Sequence, residues 1–140
     1  MKFLYRVAAV SLFLLSVMAA ANATPVDTLI STCRKDSPTA FSQCIRKHAE
    51  RAHTEVKDTE KAVRASIAAS AQDRKSLPFQ KSAFEASVEA FRKYRQHECT
   101  FAASLAANAS ATEDLQYACY AELDANRSEQ LRAWISRAGQ

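Results

Sequence analysis

Glycine is almost missing from this chain of 140 residues. Gly139 is the only glycine, and proline occurs three times. Because β-hairpins depend on turn glycines, this shortage argues against most all-β folds, and it excludes collagen-like chains and Gly/Ser linkers. At 140 residues the chain is long enough for one domain and leaves little room for a second.

The chain also lacks the motifs of the common enzyme classes. It contains no G-x-S-x-G, no H-E-x-x-H and no Gly-rich phosphate loop, so we expect neither an enzyme nor a cofactor. Its formal net charge of +4 is small, and no basic stripe with interleaved aromatic residues accompanies it. These features argue against a nucleic-acid partner.

What the chain has in abundance is alanine, with 28 residues among many Glu, Lys, Arg and Gln. Alanine has the highest helix propensity, so the composition predicts an all-α fold. Capping signals and apolar periodicity divide the chain into three main helices. The first covers residues 38–72, as one helix or as two with a kink, and the second covers residues 79–107. The third follows a break at residues 108–112, with Ser110 or Thr112 as its N-cap, and runs to residue 137. Residues 24–35 are predicted to be a polar lead, residues 48–61 to be an exposed part of the first helix, and Trp134 to be a core residue.

Residues 1–23 have the pattern of a secretory signal peptide. Lys2 and Arg6 precede an uncharged, mostly apolar stretch of about 14 residues, too short for the roughly 20 that cross a bilayer. We predict cleavage before Thr24, which leaves one domain over residues 24–140 with no membrane segment. Its 17 cations and 15 anions give a net charge of +2. The expected location is the periplasm or the outside of the cell.

Four cysteines remain in the mature chain, separated by 10, 54 and 19 residues. Export makes disulfides the default, and four cysteines allow three pairings. A zinc site is the rival interpretation, but the chain has no C-x-x-C knuckle, and we expect no metal. His48 and His53 are five residues apart and do not share a helix face.

Helical geometry selects one pairing of the cysteines. If the last two helices form an antiparallel hairpin, Cys99 lies eight residues before Ala107, and Cys119 lies seven residues after Thr112. Their heights then differ by about 1.5 Å, so the two cysteines should face each other. Cys33 and Cys44 are left to pair. The same register places Phe91 opposite Arg127. We therefore predict a small three-helix domain held by two disulfides, with a C-terminal antiparallel helical hairpin.

The residues around these cysteines resemble the lysozyme inhibitor LprI-like N-terminal domain family. An aromatic residue, an Arg and an acidic residue lead into a Cys, and a second Cys with an Arg eight residues later lies on the next helix. The matching positions are Phe91, Arg95, Glu98, Cys99, Cys119 and Arg127, and the resemblance covers about residues 33–133. It implies an exported, disulfide-bonded helical domain that binds a protein, with lysozyme as the implied target.

A protein partner needs an exposed site, and seven residues are candidates. They are Glu113, Asp114, Tyr117, Tyr120, Arg95, Glu98 and Arg127. For Arg95, Glu98 and Arg127 we favour an internal ionic contact that fixes the hairpin over a recognition site. Typical lysozymes are basic, so acidic side chains such as Glu113, Asp114, Glu122 and Asp124 would suit their cleft.

Two other functions remain open at this stage. One is a structural or stress-related protein of the cell envelope without inhibitory activity. The other is metal binding or redox chemistry by the cysteines, which disulfide pairing would prevent.

Overall fold

The computed structural model describes residues 25–34, 37–69 and 75–138. These residues form four helices and no strand: α1 (Pro25–Cys33), α2 (Pro38–Ala69), α3 (Leu77–Ser104) and α4 (Ala109–Ala138). The predicted all-α class with a C-terminal helical hairpin is therefore confirmed. The predicted signal peptide over residues 1–23 lies outside the described residues.

The structure adds a short helix where the sequence indicated a polar lead. In α1, the apolar residues Val26, Leu29 and Ile30 pack into a cluster with Ile45 of α2 and Ala118 of α4. Leu29 follows Val26 by three residues and Ile30 follows Val26 by four, which puts all three on one helix face. A helix of nine residues is marginal alone, so these contacts and the disulfide at Cys33 stabilise it.

The middle of α2 is packed rather than exposed, which corrects the expectation for residues 48–61. One side of it is buried at five positions that are mostly small or polar: Ala49, Ala52, Val56, Thr59 and Glu60. Ala49 and Ala52 meet Ala121 of α4, and alanine pairs of this kind let two helices approach closely. Alanine thus marks the packed side of α2, which a search for large apolar residues misses.

The long helices have a simple arrangement. α2 and α4 run parallel, because Ser42 contacts Asp114 near their starts and Val63 packs near Ile135 towards their ends. α3 runs antiparallel to both. Val88 of α3 meets Leu131 of α4 in the core at the far end of the bundle. Trp134 is 46% exposed and lies at the edge of this core, so its predicted core position is wrong.

Asn108 defines the turn between α3 and α4. Its side-chain Oδ1 accepts hydrogen bonds from the backbone N–H of Ala111 and from the Ser110 hydroxyl, at 2.9 and 3.0 Å. This is the N-cap geometry, so Asn108 caps α4 in place of Ser110 or Thr112, the two N-caps that the sequence suggested. α3 ends at Ser104, which leaves a connector of only residues 105–108.

Both predicted disulfides are present. Cys33 is bonded to Cys44 and Cys99 to Cys119, with Cα–Cα distances of 5.7 and 5.4 Å. The first disulfide holds α1 on α2. The second joins α3 to α4 at matching heights, as the hairpin arithmetic required.

We expect each disulfide to stabilise the fold by about 3 kcal/mol, because it limits the freedom of the unfolded chain. The Cys99–Cys119 loop is longer, with a sequence separation of 20 against 11, so its loss should cost slightly more. Urea unfolding followed by far-UV circular dichroism would compare the Cys99→Ala/Cys119→Ala and Cys33→Ala/Cys44→Ala variants with the native protein. A loss below about 1 kcal/mol for both would contradict this expectation.

Candidate protein-binding site

A buried carboxylate lies at the centre of the three long helices. Asp124 of α4 is fully buried. Its Oδ1 lies 2.7 Å from Nε of Arg95 on α3, and its Oδ2 lies 3.4 Å from Nδ1 of His53 on α2. Arg95 and Asp124 thus form an ion pair between α3 and α4. Asp124 therefore connects all three helices and cannot face a partner as expected.

The environment of Asp124 disfavours the ionised form of its carboxyl group. Burial raises the pKa of the Asp124 carboxyl above its ordinary value, and the nearby Arg95 and His53 pull this pKa in the opposite direction. Burial has the larger effect, because removing a carboxylate from water is costly even when a cation is near.

Arg127 occupies a second internal polar site one turn further along α4. Its guanidinium donates to the Ser87 hydroxyl at 2.7 Å and lies 5.4 Å from the centre of the Phe91 ring. Burial lowers the pKa of Arg127, and the carboxylate of Glu60 opposes this shift. Glu60 itself is buried and lies 3.6 Å from Arg92. Phe91 and Arg127, which the predicted register placed opposite each other, thus form a cation–π contact.

The acidic residues near the start of α4 contact α2. Glu113 forms an ion pair with Arg46 at 2.7 Å, and both side chains are about half exposed. Asp114 accepts a hydrogen bond from the Ser42 hydroxyl at 2.9 Å. These contacts fix the two carboxylates beside the connector, where Glu113 still reaches solvent.

Tyr117 and Tyr120 form an aromatic pair between the connector and the buried Asp124. Their rings meet edge to face, with centroids 6.4 Å apart and an interplanar angle of 80°. The guanidinium of Arg46 lies 5.3 Å from the Tyr117 ring centre, and that of Arg95 lies 4.1 Å from the Tyr120 ring centre. Both rings are half-buried and already hold protein cations, which restricts them as anchors for a partner.

Glu98 is separate from all these contacts. Arg95 pairs with Asp124 instead of Glu98, so the Arg95–Glu98 contact considered from the sequence is not formed. Glu98 is exposed on α3 and lies between Tyr94 and Phe101, which are 53% and 61% exposed. Sequence reasoning missed Phe101 and Leu105, although their spacing from Tyr94 is helical, because an apolar stripe of this period normally indicates core.

One group of potential metal ligands comes together in the described part of the chain. The ligand atoms of Cys33, Cys44 and His48 lie within 4.8 Å of one another. Both sulfurs are bonded to each other, so neither can act as a thiolate ligand or nucleophile. The Nδ1 of His48 lies 2.7 Å from a guanidinium nitrogen of Arg51, which leaves no built metal site there.

None of α1 to α4 has an apolar stretch of sufficient length to cross a bilayer.

The Asp124 site predicts a specific pH dependence of stability. Because the pKa of Asp124 is raised above 3.8 in the folded state, its contribution to the unfolding free energy is greatest below pH 3.8 and declines as pH rises through the folded-state pKa. Asp124→Asn removes this dependence. Urea unfolding at about pH 3 and pH 7 should therefore show the native protein losing stability relative to the variant as pH rises. The exposed Glu50→Gln change is the control, and a pH-independent difference for Asp124→Asn would contradict the argument.

Comparison with known proteins places this arrangement in a family. The family model described as Lysozyme inhibitor LprI matches residues 33–131. The matched segment contains both disulfides and the buried contacts of Asp124 and Arg127. No curated protein and no solved structure shows a significant match to the chain. On the basis of the family match, which covers more than half of its length, this chain belongs to the LprI lysozyme inhibitor family.

Proposed function

We propose that this protein is an exported inhibitor of lysozyme that acts by binding the enzyme. The observation that carries the proposal is the family match over residues 33–131, which includes all four cysteines. Two disulfides are typical of proteins that work in the periplasm or outside the cell. The predicted signal peptide over residues 1–23 supports the same location.

The fold suits inhibition by a rigid surface. The disulfides hold α1 on α2 and α3 on α4, and the Asp124 contacts join α2, α3 and α4. A surface fixed in this way loses little conformational entropy on binding, so more of the contact energy contributes to affinity. We infer that the polar groups inside the bundle serve this rigidity and that the protein is not an enzyme.

Charge complementarity contributes at the connector end. Glu113 is half exposed and Asp114 lies beside it, and both precede the aromatic pair of α4. A basic enzyme would be attracted to these carboxylates, since complementary charges at the edge of an interface accelerate association. The seven candidate residues named from the sequence divide into three groups in this proposal. Glu113, Asp114 and Glu98 are available to a partner, and Arg95 and Arg127 hold the bundle. Tyr117 and Tyr120 are restricted by the protein cations that their rings already contact.

A turbidity assay of bacterial cell walls with purified lysozyme tests the function directly. We expect the mature chain, residues 24–140, to slow lysis at a small molar excess, and we expect the reduced and alkylated protein to lose this effect. The reduced protein, alkylated with iodoacetamide so that its net charge is unchanged, is the control because it keeps the sequence without the fixed fold. Undiminished lysis at a severalfold molar excess of native protein would exclude lysozyme inhibition as the function of this protein. The structural or stress-related envelope function would then be favoured.

The charge proposal predicts a kinetic effect. The double change Glu113→Gln/Asp114→Asn should lower the association rate with lysozyme several-fold at low salt and have little effect on dissociation. The loss of the exposed ion pair with Arg46 should cost below about 1 kcal/mol of stability. Surface plasmon resonance at two salt concentrations measures both rates, with Glu50→Gln as the control. An unchanged association rate would exclude the connector carboxylates from steering.

A further inference from the structure

The outer side of α3 carries apolar side chains that no described part of the chain covers. Tyr94, Phe101 and Leu105 are 53%, 61% and 71% exposed. Their spacings of seven and four residues place them on one side of the helix. They extend over about 16 Å along the helix axis. We call these three residues together with Glu98 the α3 stripe.

Glu98 gives the α3 stripe its charge. It follows Tyr94 by four residues and precedes Phe101 by three, so it lies between the two aromatic residues along the same side of the helix. Among the described residues Glu98 has no ion-pair partner. The nearby cations of α3 are engaged elsewhere: Arg92 with Glu60, Lys93 with Glu89, and Arg95 with Asp124. The α3 stripe therefore presents a single charge, and that charge is negative.

We propose that the α3 stripe is the main contact surface for the inhibited enzyme, and that Glu98 binds an Arg or Lys side chain of that enzyme. This inference rests on the proposed function, since it names the surface through which inhibition occurs. The carboxylate pairs with the incoming cation, and the faces of Tyr94 and Phe101 attract the same cation. Aromatic residues of this kind are the usual energetic anchors of protein interfaces.

The position of the α3 stripe in the fold supports this assignment. Cys99 follows Glu98 directly and is bonded to Cys119 of α4, so the helix under the stripe is fixed before any partner arrives. Leu105 is the C-cap of α3 and begins the connector, so the stripe leads to the end of the bundle where Glu113 lies.

The other exposed aromatic residues, Phe79 and Trp134, line a groove without charged residues. Phe79 is 76% exposed and lines an apolar groove with Trp134 at the opposite end of α3. It precedes Phe101 by 22 residues, about 33 Å along the helix. None of the residues that line this groove is charged, so nothing in it selects a basic partner. Phe79 therefore serves as a control.

Equilibrium binding of purified lysozyme to the mature protein tests the inference. Tyr94→Ala and Phe101→Ala should each weaken binding roughly 10- to 30-fold, as expected for interface anchors. Glu98→Gln should weaken it several-fold, and Glu98→Arg should weaken it more. Because all three positions are exposed, circular dichroism and thermal unfolding should be unchanged. Phe79→Ala and Glu50→Gln, as matched controls, should bind within about twofold of the native protein.

The outcomes separate the two proposals. If native protein binds lysozyme and the four α3 variants bind equally well, the α3 stripe is excluded while the proposed function stands. If the aromatic changes weaken binding and both Glu98 changes do not, the cation site at Glu98 is excluded. If native protein neither binds nor inhibits lysozyme, the proposed function is wrong, and the inference about the α3 stripe is wrong with it. A second arm uses lysozyme with acetylated lysines and blocked arginines, against which Glu98→Gln should no longer differ from the native protein.

Discussion

The register between α3 and α4 is the constraint on which the other contacts of this bundle depend, and the Cys99–Cys119 bond fixes it. Counting outwards from this bond, Arg95 lies four residues before Cys99, and Asp124 lies five residues after Cys119. Phe91 and Arg127 are each eight residues away, and Val88 and Leu131 follow. A slip of one helical turn, about 5.4 Å, would separate every one of these pairs.

The charged residues inside the bundle contribute more to the specificity of this register than to the stability of the fold. Burial of Asp124 costs free energy that Arg95 and His53 only partly return, as the raised pKa of its carboxyl indicates. The cost would be larger in any other register, because Asp124 and Arg127 would then be buried without their partners. Two internal polar sites, at Asp124 and at Arg127, thus penalise alternative packings of the same helices.

The sequence was sufficient for the hairpin because its prediction needs only the rise per residue and the positions of two breaks. Both disulfides and the Phe91–Arg127 contact follow from that arithmetic. The packing of α2 could not be found in this way, because its buried side consists largely of alanine and polar residues such as Glu60. The burial of Asp124 could not be predicted from the sequence either. A carboxylate in an alternating charge pattern normally lies in solvent, and only the three-dimensional arrangement of Arg95 and His53 accounts for its burial.

The internal use of charge also limits how this protein would recognise the basic enzyme of the proposed function. Residues 24–140 carry 17 basic and 15 acidic side chains, a net charge of +2, so this part of the chain has no overall attraction to a cationic partner. Several carboxylates are further neutralised within the bundle, including Asp124 and Glu60. Affinity must therefore arise from local features, where an exposed carboxylate lies beside apolar surface that gains from leaving water. On α3 that condition is met at Glu98, between Tyr94 and Phe101 and directly before the cysteine that fixes the helix. The disulfide that sets the register thus also supports the surface on which the proposed recognition depends.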